Sequence, residues 1–242
     1  MNLDRVIAVR NNKTVYRDGD RCIKVFQAGY SQSDVFYEVL NQTYAREAGL
    51  PVPEILEVST VEGKWAIVSS YIRGKTLDRL MQEQPQREDE FVQLLVDTQK
   101  MIHNASCDKL HWNYDVARGR VTSAQMSEEK RLSLYEVLDQ TPRKTQLCHG
   151  DLVPSNLIVQ NNGEVMVLDW ARATKGDAWA DVAPTYLHFL FNHQESAAKK
   201  YLQVFCSNDA EYLQFQKWLP IGASFRSVVG TEMESEFMSK WL

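Results

Sequence analysis

The sequence predicts an α+β protein with two lobes, in which a five-stranded antiparallel sheet plus one helix precedes a mainly helical lobe. Two observations support this fold class. Up to about residue 71, short apolar runs alternate with turn residues, which is typical of antiparallel strands. From Gly74 onward, apolar residues recur at helical spacing. We therefore predict a β-rich lobe over residues 1–71 and a helical lobe over residues 72–242.

Three short strands are expected at the start of the chain, over residues 5–10, 14–18 and 21–26. The segments "NNK" and "DGD" between them supply the turns, because Asn and Asp-Gly tolerate the positive φ angles that tight hairpins need. Two further strands, "EILEVS" and "WAIVSSYI", flank the turn "VEGK". Together these five strands make the predicted sheet.

One helix is expected between the third and the fourth strand, over residues 33–49, where apolar residues recur at helical spacing. Ser33 or Asp34 is the expected N-terminal cap, because short polar side chains accept hydrogen bonds from the first free N–H groups. Gly49 is expected to end the helix, since glycine commonly follows the last helical residue.

The second lobe is expected to contain helices over residues 88–105 and 123–140, and again after about residue 184. A single hairpin, "NLIVQNNGEVMVLDW", is expected to be embedded in this helical lobe, because two apolar runs flank the turn "NNGE". A cleft between two such lobes is a common place for a small ligand.

Composition narrows the possible partners and the compartment. The net charge of −5 argues against a nucleic-acid partner, which usually requires a basic surface. No run of eighteen apolar residues predicts a membrane span, and the polar start "MNLDRVIAVRNN" does not resemble a signal peptide. The four cysteines lie far apart without a CxxC pair, which indicates unpaired thiols in a reducing, cytoplasmic compartment.

The segment "CHGDLVPSNLIV" places three oxygen-bearing side chains at the open end of the predicted hairpin. Asp151 lies on the loop before the hairpin, Asn156 starts its first strand, and Asp169 ends its second strand. Two carboxylates and one amide suit a hard ion such as Mg²⁺, which takes oxygen ligands and usually completes its shell with water and phosphate oxygens. The alternative is a polar turn with an Asx cap. It does not explain why the motif with Asp151 and Asn156 comes at the start of the hairpin and the motif with Asp169 at its end.

The pair "HGDLVPSN" and "VMVLDW" resembles the aminoglycoside phosphotransferase and choline kinase group, which has a protein-kinase-like fold. "GLPVPEI", "YIRGKTL" and "GDAWADVA" also look like this family, so the resemblance covers nearly the whole chain. It implies that Asp151 is the catalytic base and that Asn156 and Asp169 hold Mg²⁺ ions on the phosphates of ATP. It also implies that His149 supports the loop and that Asp181 braces it.

Kinases with a protein-kinase-like fold position the phosphates of ATP with a lysine on the third strand, which pairs with a glutamate on the helix that follows. Lys24 in "CIKVF" is the matching lysine, and Glu38 is the preferred partner over Glu47 near the helix end. By the same resemblance, the backbone of Ser70 and Ile72 would bond the edge of the adenine ring.

The first turn, "RNNKT", departs from the kinase pattern because it lacks the glycines that cover the phosphates. Asn11 or Asn12 is a candidate to replace one glycine, since Asn tolerates left-handed backbone angles. Lys13 is able to reach a phosphate from this turn, but a solvated turn lysine is the preferred interpretation.

The leading hypothesis is ATP-dependent phosphoryl transfer to a hydroxyl of a small molecule of the aminoglycoside, amino alcohol or sugar type. A nucleotide-binding pseudokinase without turnover is an alternative that the missing glycines favour. An atypical protein kinase is a further alternative, but only eleven residues separate Asp169 from Asp181, and Gly150 replaces the arginine that pairs with phosphorylated loops.

Overall fold

The computed structural model of the protein describes residues 3, 5–10 and 12–242. The strands of this described part are β1 (Val6–Arg10), β2 (Lys13–Asp18), β3 (Arg21–Phe26), β4 (Ile55–Val61), β5 (Lys64–Ser70), β6 (Gly74–Thr76), β7 (Gln146–Cys148), β8 (Leu157–Gln160), β9 (Val165–Val167) and β10 (Thr174–Gly176).

The helices are α1 (Gln32–Glu47), α2 (Leu77–Glu83), α3 (Glu88–His103), α4 (Asn113–Ser123), α5 (Glu128–Gln140), α6 (Trp179–Phe191), α7 (Glu195–Phe205), α8 (Asp209–Val229) and α9 (Glu232–Met238). Short 3₁₀ turns cover Pro85–Arg87, Pro154–Asn156, Trp170–Arg172 and Ser239–Trp241. Within the described residues, none of these helices has the length and apolar character needed to cross a bilayer.

The chain divides into two compact units. The sheet unit comprises Met1–Arg79 and Pro154–Arg172, and the helical unit comprises Leu80–Val153 and Ala173–Leu242. This division differs from the predicted boundary between residues 71 and 72. The predicted hairpin belongs to the sheet unit and is not embedded in the helical one.

The hairpin joins the sheet unit because its backbone is bonded there on both sides. β6 pairs antiparallel with β8, and the N–H of Val167 in β9 donates to the carbonyl of Pro51 at 2.8 Å. Gly74 permits the close approach of β6, since a Cβ at this position would collide with the backbone of Val159. These are long-range contacts that no local pattern in the sequence records.

The large sheet of this unit has the strand order β1-β2-β3-β5-β4, with every neighbouring pair antiparallel. The predicted five strands are therefore confirmed, and β3 has the predicted bounds. One face packs Ile23 and Val68 into a fully buried cluster, while Val35 of α1 packs with Phe26 and Ile67. Alternation of the side chains along β3 and β5 thus separates two small cores.

Helix α1 begins two residues earlier than the expected caps allow. Ser31 is the N-cap, and its Oγ accepts a hydrogen bond from the N–H of Asp34 at 3.4 Å. The prediction of Ser33 or Asp34 as the cap is therefore wrong. Ser31 has extended backbone angles, so it already supplies the turn at which helical geometry can begin.

In the helical unit, the helix predicted over residues 123–140 is α5, which begins only at Glu128, while α4 (Asn113–Ser123) precedes it and was not predicted. The backbone is extended at Ala124, and the Oγ of Ser127 accepts a hydrogen bond from the N–H of Lys130 at 3.2 Å to start α5. Ser127 sets the start of α5 because its side chain accepts a hydrogen bond from an N–H group that has no partner within the helix.

The core of the helical unit includes Leu187 of α6, Ala223 of α8 and Met238 of α9, all fully buried. Strand β7 pairs antiparallel with β10, with Cys148 opposite Thr174. Because "HGD" follows β7 directly, this short ladder fixes the start of the loop that carries Asp151.

Candidate active site

A pocket of about 210 Å³ lies within the sheet unit. Most of its exposed lining is apolar, with Val15, Ile55, Ile67 and Leu168 among the contributors. The six residues that the resemblance assigns to nucleotide and metal binding line it: Lys24, Glu38, Ser70, Ile72, Asn156 and Asp169. The structure therefore brings these six together, although they are spread over 146 positions of the chain, from 24 to 169.

Lys24 of β3 and Glu38 of α1 form an ion pair inside this pocket. The Glu38 side chain is only 4% exposed, whereas Glu47 is exposed at the helix end. Burial by itself would lower the pKa of Lys24, but the carboxylates of Asp169 and Glu38 outweigh it and raise that pKa. Lys24 is therefore a fixed positive charge, and the expected lysine–glutamate pairing is present.

Asp169 stands beside Asn156 because the backbone hydrogen bonds of the hairpin continue to its open end. The N–H of Leu168 donates to the carbonyl of Asn156 at 2.8 Å. Asp169 itself has a φ of 64°, in the left-handed region that aspartate tolerates better than most residues. Such strained backbone angles are common at functional sites, where the surrounding structure maintains them.

Asn41 of α1 holds the turn that follows Asp169. Its amide donates to the carbonyls of Trp170 at 3.2 Å and Ala171 at 3.4 Å. The Trp170 indole is fully buried, and its Nε1 donates to the carbonyl of Val167 at 3.0 Å. These bonds connect α1 to the hairpin, so the helix that carries Glu38 also positions Asp169. The sequence offered no signal for Asn41 beyond a polar residue within an amphipathic helix.

Lys13 is bound to Asp169 rather than solvated. Its Nζ donates to the two carboxylate oxygens of Asp169 at 2.8 and 3.0 Å, and its side chain is 13% exposed. The preference for a solvated turn lysine is therefore wrong, because Lys13 begins β2 and the strand directs it into the pocket. Lys24 approaches the same carboxylate at 3.5 Å.

The glycine-free turn itself is described only in part. Asn11, a candidate substitute for a glycine, lies outside the described residues. The carbonyl of Asn12 accepts a hydrogen bond from the N–H of Gln27 at 2.9 Å, so this end of the turn is tied to the residue after β3.

Ser70 and Ile72 line the pocket at the end of β5. The N–H of Ser70 already donates to the carbonyl of Glu54 at 2.8 Å, and its Oγ accepts from the N–H of Glu54 at 3.0 Å. The N–H of Tyr71 donates to the backbone carbonyl of Asp20 at 2.9 Å. Any hydrogen bond from the backbone N–H groups of this segment to a ligand must therefore come from Ile72 or beyond.

The residues of this pocket fit a nucleotide and a divalent cation. Asn156 and Asp169 offer amide and carboxylate oxygens side by side, the donor type that Mg²⁺ prefers. Lys24 and Lys13 supply positive charge next to them, as a chain of phosphates requires. The apolar walls suit a flat aromatic base.

Asp151 lies in the helical unit, on a loop held by buried hydrogen bonds. Asp181 of α6 accepts from the N–H of His149 at 2.7 Å and from the N–H of Gly150 at 2.6 Å. The N–H of Asp151 donates to Nδ1 of the buried His149 at 3.2 Å. Gly150 has a φ of 82°, which favours glycine and explains the "HGD" sequence. The loop-supporting roles expected of His149 and Asp181 match this geometry.

The carboxylate of Asp181 is also bonded to Nε2 of His103 at 3.1 Å. Burial alone would raise the pKa of Asp181, but the hydrogen bond from His103, the neighbouring imidazoles and the backbone N–H of Gly150 lower it. His103, Cys148 and Asp181 have ligand atoms within 4.8 Å of one another. This trio is a poor metal site, because the oxygens of Asp181 accept three hydrogen bonds and burial raises the pKa of the Cys148 thiol.

Arg226 of α8 is a neighbour of Asp151 that the sequence reasoning missed. Its Nη1 lies 3.8 Å from Oδ1 of Asp151, and its Nη2 forms an ion pair with Glu234 of α9. The Arg226 side chain is only 10% exposed. A lone arginine inside the mostly apolar segment "IGASFRSVV" was the only available signal.

Solved structures with similar folds include a thermostable mutant of aminoglycoside phosphotransferase APH(4)-Ia in its apo form. Its TM-score is 0.69 at 19% identity, over 98% of this chain and 91% of that one. An aminoglycoside-3′-phosphotransferase of type VIII gives 0.62 at 18% identity, over 91% and 93%. A choline/ethanolamine kinase family protein from Mesorhizobium loti gives 0.64 at 14% identity, over 94% and 82%. At these identities the similarity establishes the fold, and the predicted two-lobed α+β class is confirmed.

Among curated protein sequences, no significant match is found. The sequence model of the phosphotransferase enzyme family, by contrast, matches residues 6–218, which is most of the chain. The matched region contains both motifs of the hairpin, the strand with Lys24 and the helix with Glu38. The chain therefore belongs to the phosphotransferase enzyme family, as the resemblance of its motifs predicted.

Proposed function

We propose that the protein is an ATP- and Mg²⁺-dependent kinase that transfers the γ-phosphoryl group to a hydroxyl of a small molecule. The observation that carries this proposal is the pocket of the sheet unit, where the Lys24–Glu38 ion pair faces Asp169 beside Asn156. Family membership supports it. A relative of the same fold, the aminoglycoside phosphotransferase APH(4)-Ia mutant, forms a ternary complex with AMP-PNP and hygromycin B.

In this proposal, Lys24 binds the α- and β-phosphates, and Glu38 keeps its ammonium in place. Asn156 and Asp169 hold magnesium, which supplies positive charge to the phosphate oxygens when it is bound. The apolar walls enclose the adenine, and the backbone at Ser70 and Ile72 bonds its edge. Since the N–H of Ser70 is occupied, Ser70 contributes an acceptor only.

Asp151 is the proposed catalytic base. The acceptor oxygen forms a new bond to the γ-phosphorus, the bond from that phosphorus to the bridging oxygen breaks, and ADP leaves. Asp151 accepts the proton that the hydroxyl loses. Its loop is fixed by Asp181 and His149, which keeps the carboxylate in one position. Arg226 restrains the same carboxylate from the side of α8.

The proposed acceptor is a small hydroxyl compound of the aminoglycoside, amino alcohol or sugar type. A protein substrate is disfavoured because only nine residues, 170–178, separate Asp169 from the start of α6 at Trp179. So short a connection leaves little chain for the peptide-binding segment of protein kinases.

A pseudokinase is the second candidate, and one observation favours it. Lys13 covers both carboxylate oxygens of Asp169, the side chain that would have to bind the metal. A protein fixed in this arrangement would bind nucleotide without turnover.

The test measures ADP release from MgATP with purified protein, alone and with aminoglycosides, choline, other amino alcohols and sugars. Stimulation by one acceptor class should disappear in Asp151→Ala. It should persist in Asp97→Asn, a control on the exposed face of α3. ATP binding without ADP release under any condition would support the pseudokinase. An absence of ATP binding would refute the proposed function.

A further inference from the structure

Lys13, the first residue of β2, follows the turn at which protein kinases have a glycine-rich loop. Lys13 bridges both oxygens of Asp169, at 2.8 and 3.0 Å, and both residues line the pocket of the sheet unit. An ammonium in this position contacts the carboxylate as a bound cation would. Lys13 therefore occupies the coordination positions of the Asp169 carboxylate.

The four side chains joined by ion pairs here balance in charge, and Arg10 adds one positive charge to the pocket lining. Lys13 and Lys24 carry two positive charges, while Glu38 and Asp169 carry two negative charges. A divalent cation entering alone would leave this group positively charged in a partly buried site, where unbalanced charge is costly. A nucleoside triphosphate brings more negative charge than one divalent cation neutralises. The balance therefore favours the entry of metal and nucleotide together.

We propose that Lys13 is a phosphate-binding residue with two partners, Asp169 before a nucleotide binds and the nucleotide phosphates afterwards. This inference rests on the proposed function. On binding of the nucleotide, the Lys13 ammonium leaves the carboxylate for a phosphate oxygen, and Asp169 becomes available to the metal. A charged side chain thus replaces the backbone N–H groups of a glycine loop.

The two roles predict opposite effects of removing the ammonium. In Lys13→Met, Mn²⁺ without nucleotide should bind more tightly than in the unmodified protein, by about fivefold or more, because its competitor for Asp169 is gone. MgATP should bind about tenfold or more weakly, because a phosphate contact is lost. A lysine with a purely structural role would not move the two affinities in opposite directions.

The experiment measures Mn²⁺ binding by electron paramagnetic resonance and MgATP binding by isothermal titration calorimetry. Lys13→Arg should retain most of the MgATP affinity, since it keeps the charge. Lys64→Met, a control at the start of β5 and outside the pocket lining, should change neither affinity. Thermal denaturation of each variant checks that it is folded.

The outcomes separate a failure of the proposed function from a failure of the inference about Lys13. If the unmodified protein does not bind MgATP, the proposed function fails and this inference fails with it. If the unmodified protein binds MgATP and Lys13→Met binds it equally well, the inference alone is refuted. A Mn²⁺ affinity that is unchanged or lower in Lys13→Met would also refute it.

Discussion

The replacement of Asp181 by Asn is expected to destabilise the protein strongly and to disorder the loop that carries Asp151. Asp181 is 2% exposed, and its carboxylate accepts from the N–H groups of His149 and Gly150 at 2.7 and 2.6 Å, and from His103 at 3.1 Å. Asparagine has nearly the same shape, but one oxygen becomes an NH₂ group that donates instead of accepting. At least one buried N–H would then face a donor.

The magnitude follows from these contacts. Loss of a hydrogen bond to a charged acceptor costs about 1.5–3 kcal/mol, and leaving a buried donor unsatisfied costs about 1–3 kcal/mol. The variant also leaves the imidazole of His103 without its charged partner. We therefore expect the free energy of unfolding to fall by about 3–5 kcal/mol, which lies within the sum of these two costs.

Urea denaturation followed by circular dichroism measures this difference. Asp139→Asn is the matched control, because Asp139 pairs with Arg118 at 3.0 Å but its side chain is 56% exposed. The control should lose less than about 1 kcal/mol. A loss below about 1 kcal/mol in Asp181→Asn, equal to that of the control, would refute the argument that these buried bonds hold the loop.

The same contacts predict a pH dependence. Because the pKa of Asp181 is lower in the folded protein than in the unfolded chain, its stabilising contribution is complete above the unfolded pKa of about 3.9. The contribution is lost as the pH falls through the folded pKa. The difference in unfolding free energy between the unmodified protein and Asp181→Asn should therefore be constant from about pH 6 to 8 and shrink below about pH 4. A difference that grows on acidification would contradict this assignment.

Three further predictions concern other parts of the two units. Glu38→Gln removes the charged partner of Lys24, so MgATP affinity measured by calorimetry should fall by about tenfold or more, and an unchanged affinity would contradict the positioning role. Asn41→Leu removes the donor to the carbonyls of Trp170 and Ala171, so the unfolding free energy in urea should fall by about 1–3 kcal/mol; a neutral effect would mean that these bonds do not hold the turn. The thiol of Cys148 is fully buried with a raised pKa, so it should react with a disulfide reagent at least about 100-fold more slowly than in urea-unfolded protein, and comparable rates would argue against its burial.

Local patterns were sufficient for the sheet. Alternating residues and Asp-Gly turn chemistry gave the bounds of β3, and helical spacing identified α1 with Glu38 on it. Lys24 and Glu38 could be paired through the resemblance to kinases, in which a lysine on the third strand pairs with a glutamate of the helix that follows. The motifs around Asp151, Asn156 and Asp169 indicated the family because their residue types and spacing are specific together.

The places where local patterns failed are places where two tendencies compete. Helical spacing predicted one helix from residue 123 to residue 140, but the cap at Ser127 delays its start to Glu128. Likewise, the sequence does not single out Ser31 as the cap of α1, because Ser33 and Asp34 are equally good capping residues. In both cases several short polar side chains were available, and the backbone angles decided between them.

By itself, the sequence determined the five-stranded sheet with its inserted helix, and its motifs indicated the family and the polar residues proposed for phosphoryl transfer, because periodicity and motif spacing are local properties. Only the tertiary structure decided that the hairpin joins the sheet unit, that Lys13 bonds to Asp169 and that Arg226 lies beside Asp151. These contacts join residues 75 or more positions apart, as in the pair of residues 151 and 226. Such pairings depend on how the elements pack, and a lysine or arginine in a strand or helix has the same local pattern whether it meets a carboxylate or water.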